Sequence, residues 1–136
     1  MLRFLPMIGA AFLVAACVKG VKTTQKHIPL TSLAGSEWSP ENVNDIEQYV
    51  QFGAAGDVSG HGGCNRFFGT YEQSGERLTI GALASTKMAC TGKMQAEAGF
   101  LNNLQSTRRI EASHMRLVLK DEGETPLMIL RRRDWD

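Results

Sequence analysis

The sequence predicts an α+β domain that is mainly β: a small curved antiparallel sheet, or a partly open β-barrel, with one covering helix. Three observations predict it. Short apolar runs rich in aromatic and β-branched residues recur between Gly-, Ser- and Asp-containing turns, as expected of half-buried strands. Only one stretch, near residues 91–105, spaces its apolar residues as a helix does. Strand–helix–strand alternation does not occur, so neighbouring strands pair antiparallel.

The chain has 136 residues, 43% hydrophobic and 21% charged, which fits one globular domain. Arg3 is the only ionisable side chain in residues 1–16, and without that segment basic and acidic side chains balance. A neutral balance leaves no electrostatic footprint for nucleic acid and no polybasic membrane surface.

Residues 1–16 combine one early Arg, an uncharged apolar run too short to span a bilayer comfortably, and small residues at the end. That is the layout of a secretory signal. The sequence Leu13-Val14-Ala15-Ala16-Cys17 resembles a bacterial lipobox, which implies cleavage before Cys17 and lipid attachment to its thiol. The alternative is an ordinary signal peptide with a chance cysteine. Val18 and Lys19 follow Cys17 and no Asp does, so the resemblance implies the periplasmic face of the outer membrane. Several acyl chains on one residue suffice for stable anchoring. Residues 17–32 are polar, with one Pro and no helical period, and read as the lipidated N-terminus and a tether. His27 within them reads as solvated. Residues 33–136 form the domain.

Trp38 opens the folded part, and a loop rich in acids and asparagines follows it. Residues 49–52 read as a strand ending at Gly53-Ala54-Ala55-Gly56, and residues 57–59 resume pairing. Gly60-His61-Gly62-Gly63 has two readings: a bend with close backbone approach, or an anion-cradling loop. The second lacks a GK[ST] sequence and a helix start after Gly63. Residues 67–71 and 78–80 form two strands joined by the turn 73–76. Thr91 is placed to cap a helix running to about Gln105, with Met94, Ala98, Leu101 and Leu104 as its core stripe, widened by Phe100. Residues 115–120 and 127–131 make a hairpin around Asp121-Glu122-Gly123-Glu124. The tail 131–136 is mixed in sign and reads as a solvated edge.

With Cys17 assigned to lipid, Cys64 and Cys90 remain as an even pair and a candidate disulfide. Such a bridge would stabilise by about 3–4 kcal/mol on the chain-entropy model. Two buried thiols are the alternative. No metal site is expected, since CxxC spacing is missing and His61 is the only extra ligand near Cys64. A thiol nucleophile would need Cys64 activated by His61 or His114, with Gly62 and Gly63 as oxyanion donors, and bridging would remove it. Ser59 lacks a GxSxG context, because Asp57 and His61 stand at the glycine positions. Neither paired carboxylates nor a nucleotide fingerprint is present, and no enzyme and no cofactor are expected.

The run from Val58 to Cys90 resembles the META domain family, which includes HslJ-like heat-inducible bacterial lipoproteins. The matching features are Gly63-Cys64-Asn65-Arg66-Phe67, then Gly69 and Tyr71, then Leu83-Ala84-Ser85-Thr86-Lys87-Met88-Ala89-Cys90. The resemblance extends back to Trp38, Phe52 and Gly56 through Gly60, and forward to Glu97, Phe100 and Leu104. It implies curved antiparallel strands in a partly open barrel carrying one helix. No catalytic activity is established for the family, whose members are associated with heat shock, antibiotic tolerance, motility, virulence and secretion. Gly63, Asn65, Phe67, Gly69, Tyr71, Thr86 and Met88 carry over as family signature, with Asn65 and Thr86 expected to bond to backbone beside each cysteine.

Two functions from different classes follow as expectations. One is a non-enzymatic envelope lipoprotein that binds an envelope protein partner or supports the envelope under stress. The other is a binder of a small apolar ligand or lipid in a half-open barrel, aiding secretion, with Met88, Met94, Met115 and Met128 lining the cleft. Core filling is the alternative role for these methionines.

Overall fold

The computed structural model describes residues 30–42 and 46–134. The expected signal segment, the lipid site Cys17 and most of the tether lie outside the described residues.

Trp38 lies on β1 (Ser36–Pro40), which pairs antiparallel with β2 (Gln48–Phe52) on one side and with the last strand, β9 (Pro126–Arg132), on the other. The chain continues through β3 (Asp57–Gly62), β4 (Arg66–Ser74), β5 (Arg77–Ile80) and the two-residue β6 (Ala84–Ser85). Helix α1 (Met94–Ser106) follows, then β7 (Arg109–Ala112) and β8 (Arg116–Lys120). The strand order is β3-β2-β1-β9-β8-β7-β5-β4-β6, and β3 also pairs with β4 from Asp57↔Thr70 to His61↔Arg66.

That last pairing joins the two ends of the sheet. Eight strands therefore close into an antiparallel barrel, with β6 attached outside the ring to β4 at Phe67 and Phe68. The expectation of a mainly β domain with one helix holds, and the partly open barrel is corrected to a closed one. The apolar residues of 57–59 and 67–71 place these strands in the sequence, but closure depends on β3 also carrying the glycines. A Cβ on Gly60 would stand 2.0 Å from the carbonyl oxygen of Tyr49 and 2.7 Å from the Phe67 ring. Only a residue without one lets β2, β3 and the inward Phe67 come together there. The thinnest seam lies between β5 and β7, which share the single register pair Arg77↔Arg109.

Side chains alternate in and out along each strand. Trp38, Val50, Phe52, Phe67, Leu78, Leu117 and Leu130 point inward and are almost fully buried. The interior is thus filled by side chains and is a core. Trp38 donates its indole N–H to Ser36 Oγ at 2.6 Å, which keeps that buried polar group bonded.

Helix α1 packs against β3, β5 and β8, strands that are not neighbours in the ring, so it lies across one end of the barrel. Two expectations are corrected here. Thr91 does not cap the helix: Lys93 is the N-cap residue and no side chain caps it. The buried face is Glu97, Phe100 and Leu104, with Phe100 edge-on to Phe67. Met94 and Ala98 of the expected core stripe are exposed and Leu101 is half-buried. An acidic residue turned inward rotates the helix away from the face its apolar spacing suggests.

Candidate functional site

The signature residues converge where β3 ends, β4 begins and α1 starts. Gly62 packs against Glu97, where a Cβ would come within 2.7 Å of the Glu97 side chain. Gly63 follows with φ +117, a backbone region that L side chains rarely adopt. This turn places the N–H groups of Cys64 and Asn65 on the same side. Both donate to Glu97 Oε1. Asn65 Nδ2 donates to Glu97 Oε2 at 2.8 Å. The glycine cluster is the bend with close approaches, and the N–H groups just after it are taken up by the chain's own Glu97 carboxylate.

Burial pushes the Glu97 carboxyl up. Hydrogen bonds from the Asn65 side chain and from the Asn65 and Cys64 backbone, helped by nearby His61, outweigh burial and hold it below its ordinary value. Glu97 is therefore a buried, fully engaged carboxylate.

Asn65 ties this carboxylate to the segment before the helix. Its Oδ1 accepts from Thr86 Oγ1 at 2.8 Å and from the Met88 N–H at 2.7 Å, while its Nδ2 also donates to the Met88 carbonyl at 3.0 Å. Cys64 and Cys90 are joined in a disulfide that closes the same segment onto β4. Asn65 thus bonds to backbone, as expected, whereas Thr86 bonds to the Asn65 side chain instead. Phe67 and Tyr71 are core residues, and the Tyr71 hydroxyl donates to the Gly53 carbonyl at 2.7 Å. Burial, and then the charge of Asp57, raise the Tyr71 pKa. Gly69 allows close approach: a Cβ there would stand 2.9 Å from the Ala82 carbonyl oxygen. Met88 is 59% exposed despite belonging to the signature. Met94 and Met115 are also exposed, and only Met128 packs against the core.

Two participants are not legible as site residues in the sequence. Glu97 appears in the sequence only through the family resemblance, which attaches no role to it. Gln48 is buried on β2 and donates through Nε2 to the carbonyls of Gly62 at 2.9 Å and Ala96 at 3.1 Å. No short-range pattern marks it. His61 stacks on Tyr49 with ring centroids 6.5 Å apart. Its Nδ1 lies 3.0 Å from the Glu47 carbonyl oxygen and 3.2 Å from the Gly63 N–H. One tautomer satisfies one of these contacts at a time. Cys64 is consumed by the bridge, so among the described residues no thiol stands beside His61.

Chemically, the arrangement is a clasp. One carboxylate, one amide and one disulfide hold the β3–β4 bend, the 86–90 segment and the start of α1 together.

Solved structures share this architecture at low identity. A solution structure of a protein from Burkholderia xenovorans matches with TM-score 0.60 and 21% identity, over 75% of this chain and 84% of that one. A second solution structure matches with TM-score 0.57 and 22% identity, over 73% and 90%. A crystal structure of a DUF4847 family protein from Bacteroides vulgatus matches with TM-score 0.51 and 19% identity, over 66% and 62%. These likenesses concern the fold alone. No curated protein matches the chain. The META domain family model matches residues 22–134, and with its signature assembled into one clasp the chain belongs to the META domain family.

Proposed function

We propose that this protein is a non-enzymatic, lipid-anchored envelope protein whose META domain serves as a protein-interaction module supporting the envelope under stress. The observation that carries this reading is the internal use of the signature. The Asn65 amide, the Glu97 carboxylate and both sulfurs bond to one another or to backbone, which leaves none of them as a reactive group facing solvent. Groups with this role stabilise a scaffold, so the surface carries the function. The resemblance of Leu13–Cys17 to a lipobox supports a position of that surface in the periplasm, held at the outer membrane.

The test is in-cell crosslinking of the tagged full-length protein, with mass spectrometry of what stays attached. Recovery of one envelope protein in near-equal amount is expected. Recovery of nothing above background would count against the interaction module.

A second reading has one observation in its favour. A groove of about 440 Å³ opens beside the β5–β7 seam, lined by Leu30, Ile110 and Ala112 with Glu76 and Arg116 at its margin. Its volume suits a small amphiphile. With the barrel interior filled, a small apolar ligand would bind here, over the core residue Ile110 and beside Leu30 and Ala112, which pack against the core. Native mass spectrometry of protein isolated from cells would reveal a co-purified lipid, and a bare mass would oppose this reading.

A further inference from the structure

Helix α1 carries an apolar shoulder that the barrel covers only in part, Met94 and Ala98 being exposed and Leu101 half-buried against the core. Met94, Ala98 and Leu101 follow one another at spacings of four and three, and so occupy one shoulder of the helix. Met94 is 42% exposed. Opposite this shoulder runs the segment Ser85 to Met88, and between them lies a groove of about 370 Å³ with the Asn65–Glu97 pair at its floor. Methionines on both walls suit a surface that adapts to varied side chains.

The same segment offers a strand edge. The Thr86 N–H donates to the Arg66 carbonyl at 3.0 Å, and the Met88 N–H donates to Asn65 Oδ1. Both bonds point toward the start of β4. Successive residues of an extended chain direct their N–H and C=O groups to opposite sides, so those of Ser85 and Lys87 point away from β4. β6 is the terminal strand of the ladder, and among the described residues no strand pairs with its outer edge.

Charge supplies the third observation. Lys87 lines the groove, Arg66 and Lys93 adjoin its lining residues Asn65 and Met94 in the sequence, and all three are exposed. None of them belongs to the ion pairs found among the described residues. The carboxylate of Glu97 at the floor is already engaged. Three cations against the one carboxylate at the floor leave the surroundings of the groove with a net basic charge.

We propose that the outer edge of β6 and the groove beside α1 bind an extended, acidic segment of a partner protein by strand addition. Backbone groups of the segment pair with Ser85 and Lys87. Apolar side chains enter between Met88, Met94, Ala98 and Leu101, and interspersed Asp or Glu side chains meet Arg66, Lys87 and Lys93. Strand addition draws affinity from main-chain bonds and specificity from the side-chain pockets, and the charges select the partner's sign. The proposal rests on reading the domain as an interaction module and names the surface and the partner chemistry.

The test places a photo-crosslinking residue at Met88, or at Glu122 on the β8–β9 turn, in the full-length protein in cells, and maps the crosslinked peptide. The expected result is an adduct from position 88 to an acidic, extended segment of another envelope protein. Ala98→Glu, which narrows the groove and repels an acidic segment, should weaken the adduct about tenfold or more. Lys87→Glu should weaken it in the same direction, and unchanged melting curves verify that both variants fold. Adducts from position 122 and none from 88 would overturn this site while leaving the interaction module standing. An adduct at 88 to lipid, or to a second copy of this chain, would assign the groove to membrane contact or self-association and overturn the proposal. Persistence of the adduct in both variants would also overturn it. No adduct from either position would count against this site and the interaction reading together.

Discussion

Glu97 has two carboxylate oxygens facing three donors, and no residue of similar shape reproduces that match. A glutamine has one acceptor oxygen, so its NH₂ would face either the paired backbone N–H groups or Asn65 Nδ2, donor against donor. Glu97→Gln is therefore expected to lower stability by about 1–3 kcal/mol, the cost of leaving buried donors unpaired, measured by denaturant unfolding at neutral pH. The pH dependence follows from the lowered carboxyl pKa. A carboxyl whose folded pKa lies below its unfolded value stabilises fully above the unfolded value, and that contribution fades as pH falls through the folded one. The stability gap between wild type and Glu97→Gln should narrow on acidification below the ordinary Glu value of 4.5. A gap that stays constant through that range would show that the charge is not what the clasp holds.

At the scale of elements, helix α1 divides the one apolar stripe of the sequence into a buried part, Phe100 and Leu104, and an exposed part, Met94 and Ala98. Phe100→Ala removes a ring packed on Phe67 inside the barrel end and should cost about 3–5 kcal/mol. Met94→Gln acts on the exposed shoulder and should change stability by no more than about 0.5 kcal/mol. Thermal melts of the two variants check the assignment, and equal losses would refute it. The disulfide acts on the segment before the helix. Cys90→Ser should lower stability by about 3–4 kcal/mol on the chain-entropy model, and reducing agent should reproduce that loss in the wild type. The spacing of residues 94–104 locates the helix in the sequence. Which face turns inward was not legible, because periodicity counts Glu97 as polar while three local donors make it a core residue. Likewise the strands around 49–52, 57–59, 67–71, 78–80, 115–120 and 127–131 were legible from alternation. β1 and the short β6 and β7 were not, since Ser36–Pro40, Ala84–Ser85 and Arg109–Ala112 carry too few apolar residues to form a pattern of their own.

Across the whole molecule, the barrel is least uniform at the β5–β7 seam. The single register pair there is held by two bonds, the Leu78 N–H donating to the Arg108 carbonyl at 3.0 Å and the Ile110 N–H to the Glu76 carbonyl at 2.8 Å. A seam with so few ladder bonds should open before the rest. Hydrogen exchange is expected to show the Leu78 and Ile110 amides losing protection ahead of those in the longer β3–β4 and β8–β9 pairings, and equal protection would mean that the barrel opens only as a unit. At the same scale, Cys17→Ala should release the protein from the membrane fraction, and continued detergent-phase partitioning would refute the lipid anchor. The sequence by itself determined the strand-rich class, the family, the even pair of cysteines and the helix position, because each rests on local composition, periodicity or motif order. The tertiary structure alone decided that β3 and β4 close the barrel, that Glu97 is the anion at the glycine bend and that Met88 and Met94 face outward. Those outcomes depend on contacts between residues distant along the chain, where the absence of one Cβ or the geometry of three donors outweighs local preference.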